Sequence, residues 1–198
     1  MIFKLPEIEI EKLSFSFEEL LFKRRSIRSY LSNPLSENEI SKLCFAAYGL
    51  RNPFGYKTVP SAGALYPMRI YLFLKRYKDL ENALFLYMPE NHSLKFLFSK
   101  NILPELVQAA LNQDFIMDAP LNFIITANFG ITMSKYGKRG IRYVLMEAGH
   151  ISQNIYLMAT YLKLGTVAIG AFIDELIKII LDIKEHPLYI MPVGYPAE

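Results

Sequence analysis

Cysteine is nearly absent from this sequence, with Cys44 alone among 198 residues. A single cysteine cannot form an internal disulfide, so the fold does not depend on an oxidising compartment. An excess of one charge is also missing, because 22 Lys and Arg against 19 Asp and Glu leave a net charge of +3. That surplus is too small to predict nucleic-acid binding.

Long apolar runs are missing as well. No stretch of about 18 consecutive apolar residues occurs, and the N-terminal segment lacks the basic start, apolar run and small-residue cleavage site of a signal peptide. We therefore expect a cytoplasmic protein with no membrane partner. Ten glycines and eleven prolines are ordinary numbers, which excludes collagen-like and low-complexity proteins. The length predicts one domain over residues 1–198.

Hydrophobic patterning predicts a mixture of helices and strands. Two capping boxes, Ser16 to Glu19 and Ser36 to Glu39, predict helices that continue to residue 23 and residue 48. Further helices are predicted at 101–113, 142–164 and 174–183, and strands at 69–74, 84–87, 95–98, 121–128 and 188–193. The polar run 133–140 is predicted to be an exposed loop.

The predicted helix at 142–164 is apolar on nearly every side. Such a helix is wrapped by protein, either in a large core or across a subunit interface. It also carries Glu147 and His150 at the E-x-x-H spacing of di-iron bundle proteins, which need a second such motif and two further carboxylates. Because the sequence offers no second motif, we predict no metal site. We interpret Cys44 as a small core residue.

Two segments have the composition of a ligand site. The run RRSIRSY places Arg24, Arg25, Ser26 and Arg28 at the end of the first helix, and guanidinium and hydroxyl groups match phosphate oxygens. A solvated basic helix end is the alternative interpretation. The run PSAGALYP, residues 60–67, is rich in small side chains, so a flat ligand could lie against its backbone. An ordinary turn before a strand explains the same composition.

A second small-residue segment, GTVAIGAF, follows the long helix at residues 165–172. Its backbone amides could point at one edge of an aromatic ring system. The segment is not a Walker loop, because no Gly-Lys-Ser/Thr follows it, and the sequence contains no G-x-G-x-x-G dinucleotide motif.

Taken in order, RRSIRSY, PSAGALYP, EAGHISQNIYLMATYLKLGT and AIGAF resemble the nitroreductase family of flavoproteins. The resemblance extends from about Leu20 to Pro196. It is strongest to the SagB-type or McbC-like branch, which includes the azoline dehydrogenases of thiazole/oxazole-modified peptide pathways. In that branch PSAGALYP replaces the PSxxNxQPW-like stretch of ordinary nitroreductases.

The resemblance implies an α+β, nitroreductase-like fold with a central, mostly antiparallel sheet flanked by helices. It also implies a homodimer with the long helix at the interface and one FMN in each of two interfacial sites. In this family pattern the phosphate and ribityl chain are held by Arg24, Arg25, Ser26 and Arg28. The ring system is lined by Pro60, Ser61, Ala62, Gly63 and Ala64, and its N5 edge faces the amides of Gly170 and Ala171.

One departure concerns the phosphate. Many relatives carry Lys or Arg just beyond the final G-Y-P, where this sequence has Ala197 and Glu198. We therefore expect the N-terminal arginines, or Lys57, to hold the phosphate.

The resemblance also indicates the reaction. Lys135 and Tyr136 match a Lys-Tyr pair that azoline dehydrogenases carry before the long helix. Oxidation of an azoline to an azole, in a peptide or a small molecule, removes a hydride and a proton, and a lysine or tyrosine can take the proton. A solvated basic loop is the alternative interpretation of the pair. Two other functions stay open: an NAD(P)H-dependent nitro or quinone reductase, and a non-catalytic flavin-binding module.

Overall fold

The computed structural model describes residues 1–8, 15–51 and 54–197. Its helices are α1 (Phe17–Lys23), α2 (Glu37–Tyr48), α3 (Leu103–Ala109), α4 (Phe115–Asp118), α5 (Phe129–Tyr136), α6 (Arg139–Tyr161) and α7 (Asp174–Leu181). Its strands are β1 (Ile2–Lys4), β2 (Met68–Tyr77), β3 (Leu80–Met88), β4 (Ser93–Ser99), β5 (Leu121–Ala127), β6 (Gly165–Thr166) and β7 (His186–Gly194). Short 3-10 turns occupy Ala62–Ala64 and Pro89–Asn91.

The described strands form one sheet in the order β1-β4-β3-β2-β5-β7-β6. Each pairing between neighbouring strands is antiparallel. Strand β5 lies between β2 and β7, and all seven of its residues are buried. A strand that is covered on both faces reads as a continuous apolar run, as the sequence around it does. The predicted α+β fold with an antiparallel sheet flanked by helices is confirmed.

Each face of the sheet carries its own apolar core. Ile70 and Leu72 of β2 point into the core that includes residues of α2 and α6. Tyr71 and Phe73 alternate with them and point into the second core, with residues of α3 and α7. Because side chains alternate along a strand, β2 contributes residues to the apolar cores on both faces of the sheet. Helix α6 is thereby held against the sheet along one side.

Both capping boxes are formed as predicted. The Ser16 hydroxyl accepts a hydrogen bond from the Glu19 amide at 3.2 Å, and the Glu19 carboxylate accepts one from the Ser16 amide at 2.8 Å. Ser36 and Glu39 make the same pair of contacts. These bonds satisfy amides that have no partner within the helix. Helices α1 and α2 end at residues 23 and 48, as the sequence predicts.

Two predictions of secondary structure were wrong. The run 133–140 is not a loop, because its first half forms the end of α5 and its last residues begin α6. The Asn128 side chain starts α5 by accepting a hydrogen bond from the Gly130 amide at 3.0 Å, and Gly137, at φ 55°, ends it. The helix predicted at 101–113 ends early because Leu111 and Asn112 have positive φ. Strand β1 was not predicted.

Helix α6 begins and ends three residues earlier than predicted, at Arg139–Tyr161. Within one chain it is not wrapped on every side, because Leu145 and Met146 remain 51% and 53% exposed. Of the helices in the described part of the chain, none combines the length and apolar character needed to cross a membrane.

Candidate functional site

Tyr156 of α6 joins two of the segments that the sequence singled out. Its hydroxyl shares a hydrogen bond of 2.9 Å with the Ser26 hydroxyl and accepts one of 2.8 Å from the Ala168 amide. Ser26 also forms a parallel bridge with Thr166 of β6. The predicted residues around Ser26 and those of 165–171 are therefore neighbours in the fold. Sequence analysis did not single out Tyr156, since a tyrosine within an apolar helix looks like any core residue.

The segment after α1 lines a cleft of about 290 Å³ that we name the arginine cleft. It is formed by Arg25, Ser26, Ile27, Arg28, Ser29 and Pro196. This lining contains two guanidinium groups and two hydroxyls but no carboxylate, so its donors can turn toward an anion. The residues present fit a phosphate group. Arg24 lies apart, half-buried, with its guanidinium 5.2 Å from the centre of the Tyr156 ring.

Gly170 and Ala171 lie at the far end of the same segment. Both are exposed, and the Ala171 carbonyl accepts a hydrogen bond of 3.2 Å from the Gln113 side chain. Ile169, one residue earlier, bridges to Ile190 of β7, which fixes the backbone. The segment is thus anchored to the sheet and leaves its last residues open to solvent.

The second cluster forms around the 3-10 turn at 62–64. A Cβ atom on Gly63 would lie 2.8 Å from the Tyr136 hydroxyl and 2.9 Å from Lys135 Nζ. The functional atoms of the two predicted catalytic residues therefore converge on the surface of this turn. Gly63 also has φ 61°, which an L side chain adopts at a cost. A side chain at this position would therefore strain the backbone and displace the ends of Lys135 and Tyr136.

The turn is held in a strained conformation. Ala64 and Tyr66 have φ values of 53° and 50° although neither is glycine. The Ser61 hydroxyl accepts a hydrogen bond of 2.9 Å from the Tyr66 amide, and the Ser61 carbonyl accepts one of 3.0 Å from the Ala64 amide. Strained backbone persists only where surrounding contacts determine it, and it is concentrated at functional sites. These contacts of Ser61 supply that constraint.

Glu147 of α6 lies beneath the turn and is 2% exposed. It accepts a hydrogen bond of 2.9 Å from the Tyr48 hydroxyl. Burial raises the pKa of this carboxyl, whereas the side chains of Ser61 and Tyr48 and the charge of Lys57 oppose the rise. Sequence analysis considered Glu147 only as a metal ligand. A lone carboxylate in an apolar helix could have indicated a buried network instead.

Lys57 does not line the arginine cleft. It lines a separate cleft with Tyr48, Tyr66 and Glu90, and its ammonium lies 4.2 Å from the centre of the Tyr48 ring. Burial lowers the pKa of this amine, and the charges of Glu90 and Glu147 act in the opposite direction. Of the two alternatives for the phosphate, the N-terminal arginines and Lys57, the arginines are the ones that line the arginine cleft.

The two clusters contact α6 at different heights. Tyr156 contacts the arginine cleft and Glu147 lies beneath the small-residue turn, and both side chains belong to the buried part of α6. Tyr156 follows Glu147 by nine residues, or about 13.5 Å along the helix axis.

Comparisons with known proteins place this geometry in context. The sequence model of the nitroreductase family matches residues 21–195. A candidate nitroreductase of Methanocaldococcus jannaschii is 50% identical over 198 residues, which cover 100% of this chain and 98% of that protein.

Solved structures resemble the fold closely. A candidate nitroreductase of Ralstonia eutropha superposes with a TM-score of 0.88 at 24% identity, over 100% of this chain and 90% of that chain. A chain of the E. coli microcin synthetase McbBCD complex, solved with truncated pro-MccB17 bound, superposes with a TM-score of 0.76 at 22% identity. That match covers 98% of this chain and 79% of the other. At these identities the likeness concerns the fold.

Proposed function

The chain belongs to the nitroreductase family, and we propose that it is an FMN-dependent oxidoreductase of the SagB-type branch. Its substrate in this proposal is an azoline, in a peptide or a related small molecule, which it oxidises to the azole. The observation that carries the proposal is the convergence of Lys135 Nζ and the Tyr136 hydroxyl on Gly63. The ordered motifs of the sequence support the branch, and the McbBCD chain, whose complex holds a peptide precursor, supports it through fold alone.

FMN, when bound, would supply the acceptor for the hydride, which carries both electrons that the substrate loses. Ser26, Arg25 and Arg28 would hold its phosphate, because they bring hydroxyl and guanidinium donors into one cleft without a competing carboxylate in the lining. The turn at 60–64 presents small side chains and exposed backbone at Gly63 and Ala64, which suits a flat ring. The residues present therefore fit both the phosphate and the ring system of FMN.

The protein's own part in the reaction is to hold the substrate and to take a proton. Loss of hydride from an azoline leaves a carbon-bound proton that must pass to a base, and Lys135 and Tyr136 are the functional groups beside the turn. Tyr136 is oriented by Tyr143, whose ring meets it edge-on at 5.1 Å. Gly63 contributes by leaving room for both groups.

A second copy of the chain completes the site in this proposal. The family resemblance implies two sites at the interface of a two-fold dimer. Helices α6 and α1 carry exposed apolar side chains that such an interface would bury. Leu145 and Met146 of α6 are about half exposed, and Phe22 of α1 is 92% exposed. Apolar side chains of this size favour burial against a second copy.

The test of the reaction separates hydride transfer from proton transfer. In Lys135→Ala/Tyr136→Phe, rapid-mixing spectroscopy should show reduction of bound FMN by an azoline peptide slowed about 10²–10⁴-fold, the usual contribution of general base catalysis. Reduction by NAD(P)H should change little, because hydride transfer from a nicotinamide needs no protein base. Lys138→Ala is the matched control, because Lys138 is exposed and lies two positions after Tyr136. Equal azoline rates in wild type and the double variant would overturn the proposal.

The family match also favours a second candidate function, an NAD(P)H-dependent reductase of nitro compounds or quinones. The M. jannaschii relative carries a nitroreductase name at 50% identity. Steady-state turnover with NAD(P)H and a nitroaromatic or quinone, together with no reduction of FMN by azoline peptides, would select this function.

A further inference from the structure

We propose that the cleft around Lys57 binds the carboxylate of an anionic substrate. The cleft has a volume of about 290 Å³ and includes Lys57, Tyr66, Met88, Glu90 and Ile131 in its lining. Tyr66 lies three residues after Gly63, and Ile131 lies one helical turn before Lys135 on the same side of α5. The cleft therefore opens beside the point where Lys135 and Tyr136 converge.

Lys57 provides a buried cation with one long ion pair. Its side chain is 10% exposed, and an ammonium group has three N–H donors. In the described residues its one carboxylate within 4 Å is Glu90, at 3.7 Å. A buried ammonium with so distant a partner is incompletely compensated, so it gains free energy when an anion comes within hydrogen-bond distance.

The aromatic walls hold this ammonium in place. Its Nζ lies 4.2 Å from the centre of the Tyr48 ring and 5.5 Å from that of Tyr66. The Tyr66 hydroxyl accepts a hydrogen bond of 3.1 Å from the Lys57 amide, and the Tyr48 hydroxyl is bonded to Glu147. The rings are therefore fixed and orient the amine toward the cleft, which reduces the entropy lost when a ligand binds.

Glu90 occupies the mouth of the cleft and can be displaced. Its side chain is 66% exposed, it lies on the short turn Pro89–Asn91, and its ion pair with Lys57 is long. An exposed carboxylate is well solvated and loses little on leaving such a pair. Arg69, the other cation in the lining, already has a partner in Glu185 at 2.8 Å. Lys57 is thus the cation that an incoming carboxylate meets.

These features specify the ligand as a carboxylate attached to a flat, mainly apolar body. The carboxylate takes the place of Glu90 at Lys57, and the body lies against Tyr66, Met88 and Ile131. The identification of this ligand with the azoline that the protein oxidises rests on the proposed function. That azoline would carry a carboxylate beside its ring. The existence of the site does not rest on that identification.

Calorimetric titration of the purified protein with benzoate and with benzamide tests the site. Benzoate should bind, and benzamide, of the same shape without charge, should bind about tenfold more weakly. Lys57→Met should weaken benzoate binding about tenfold or more, the scale of a lost charge-assisted hydrogen bond. Glu90→Gln should strengthen it several-fold, because the competing carboxylate is gone. Benzamide affinity should stay the same in both variants.

Two controls match these changes. Lys75→Met removes another partly buried lysine, whose ammonium donates to the Asp118 carbonyl at 3.0 Å. Glu81→Gln removes another exposed carboxylate, which pairs with Arg76 at 3.5 Å. Neither control should alter benzoate affinity. Equal binding of benzoate and benzamide, or weaker benzoate binding in Glu90→Gln, would overturn the inference. Because calorimetry needs no turnover, benzoate binding with no azoline oxidation would contradict only the proposed function.

Discussion

Tyr48 of α2 donates a hydrogen bond of 2.9 Å to Glu147 of α6, and this bond ties the two helices together beneath the strained turn. The Tyr48 hydroxyl also accepts a hydrogen bond of 3.2 Å from the Met68 amide at the start of β2. Through Tyr48, the buried carboxyl of Glu147 is thus linked to the backbone just after the strained turn.

Glu147→Gln should change how stability depends on pH. Burial raises the pKa of Glu147 in the folded state above its ordinary 4.5. The folded protein then holds the proton more tightly than the unfolded chain, so this group's contribution is fully present below pH 4.5 and is lost as pH rises through the folded pKa. Gln cannot ionise, so the variant should gain stability relative to wild type as pH rises above 4.5.

Urea unfolding of both proteins between pH 4.5 and pH 8 measures this difference. At the acid end Gln should cost about 1 kcal/mol, because an amide NH₂ that cannot accept a hydrogen bond replaces one of the two carboxyl oxygens in this buried site. A variant that loses stability relative to wild type as pH rises would show that Lys57 and the hydrogen bonds outweigh burial.

Gly63→Ala should impair substrate oxidation without unfolding the protein. The new methyl group requires a left-handed backbone, at a cost of about 1–2 kcal/mol, and it would displace the ends of Lys135 and Tyr136. Those side chains are flexible, so the extra loss of stability is small while the loss of alignment is not. Gly55→Ala is the control, because Gly55 has φ 83° with no atom within 4 Å of the added Cβ.

Urea unfolding and azoline-oxidation rates separate the two effects. Both variants should lose similar stability, and Gly63→Ala alone should oxidise an azoline peptide more slowly. Equal rates in the two variants would mean that Lys135 and Tyr136 do not act beside the turn.

The elements with local signals were predictable, and the contacts between distant residues were not. The capping boxes at Ser16 and Ser36 act over three residues, so the sequence alone located α1 and α2. The run 133–140 was misread because Lys135 and Lys138 look like loop residues, whereas Asn128, which starts the helix, lies outside the run. Glu147 meets Tyr48 across 99 positions of sequence. No spacing rule connects such a pair, so only the packing of α2 against α6 reveals it.

The candidate site divides in the same way. The residues of the arginine cleft and the pair Lys135 and Tyr136 were predicted from motifs. Lys57 was the alternative to the arginines for holding the phosphate. It lies in a cleft of its own, because the loop between α2 and β2 carries it to Tyr48 and Glu90. The rotation of α6 about its own axis decides which motifs its side chains contact. That rotation is set by the packing of α6 against the sheet, which the sequence of the helix alone does not show.

Charged substitutions on α6 should prevent assembly. We expect a two-fold dimer with more than about 2,000 Å² of buried interface, and Leu145→Glu/Met146→Glu would place two carboxylates in it. Sedimentation at micromolar concentration should show a dimer for wild type and a monomer for the variant. Ile179→Glu, on an exposed residue of α7, is the control and should remain dimeric. A stable wild-type monomer loaded with flavin would contradict the shared site.

In our proposal the arginine cleft holds the phosphate of FMN, and an FMN titration followed by flavin absorbance and fluorescence tests this assignment. Wild-type protein should bind FMN without a covalent bond. Arg28→Ala should weaken binding by about 1.5–3 kcal/mol, the scale of a charge-assisted hydrogen bond, while Arg76→Ala, on an exposed arginine of β2, should leave it unchanged. Affinity for riboflavin, which has no phosphate, should not differ between wild type and Arg28→Ala. A wild-type protein that binds no FMN, or an Arg28→Ala variant that binds it as tightly as wild type, would contradict the account.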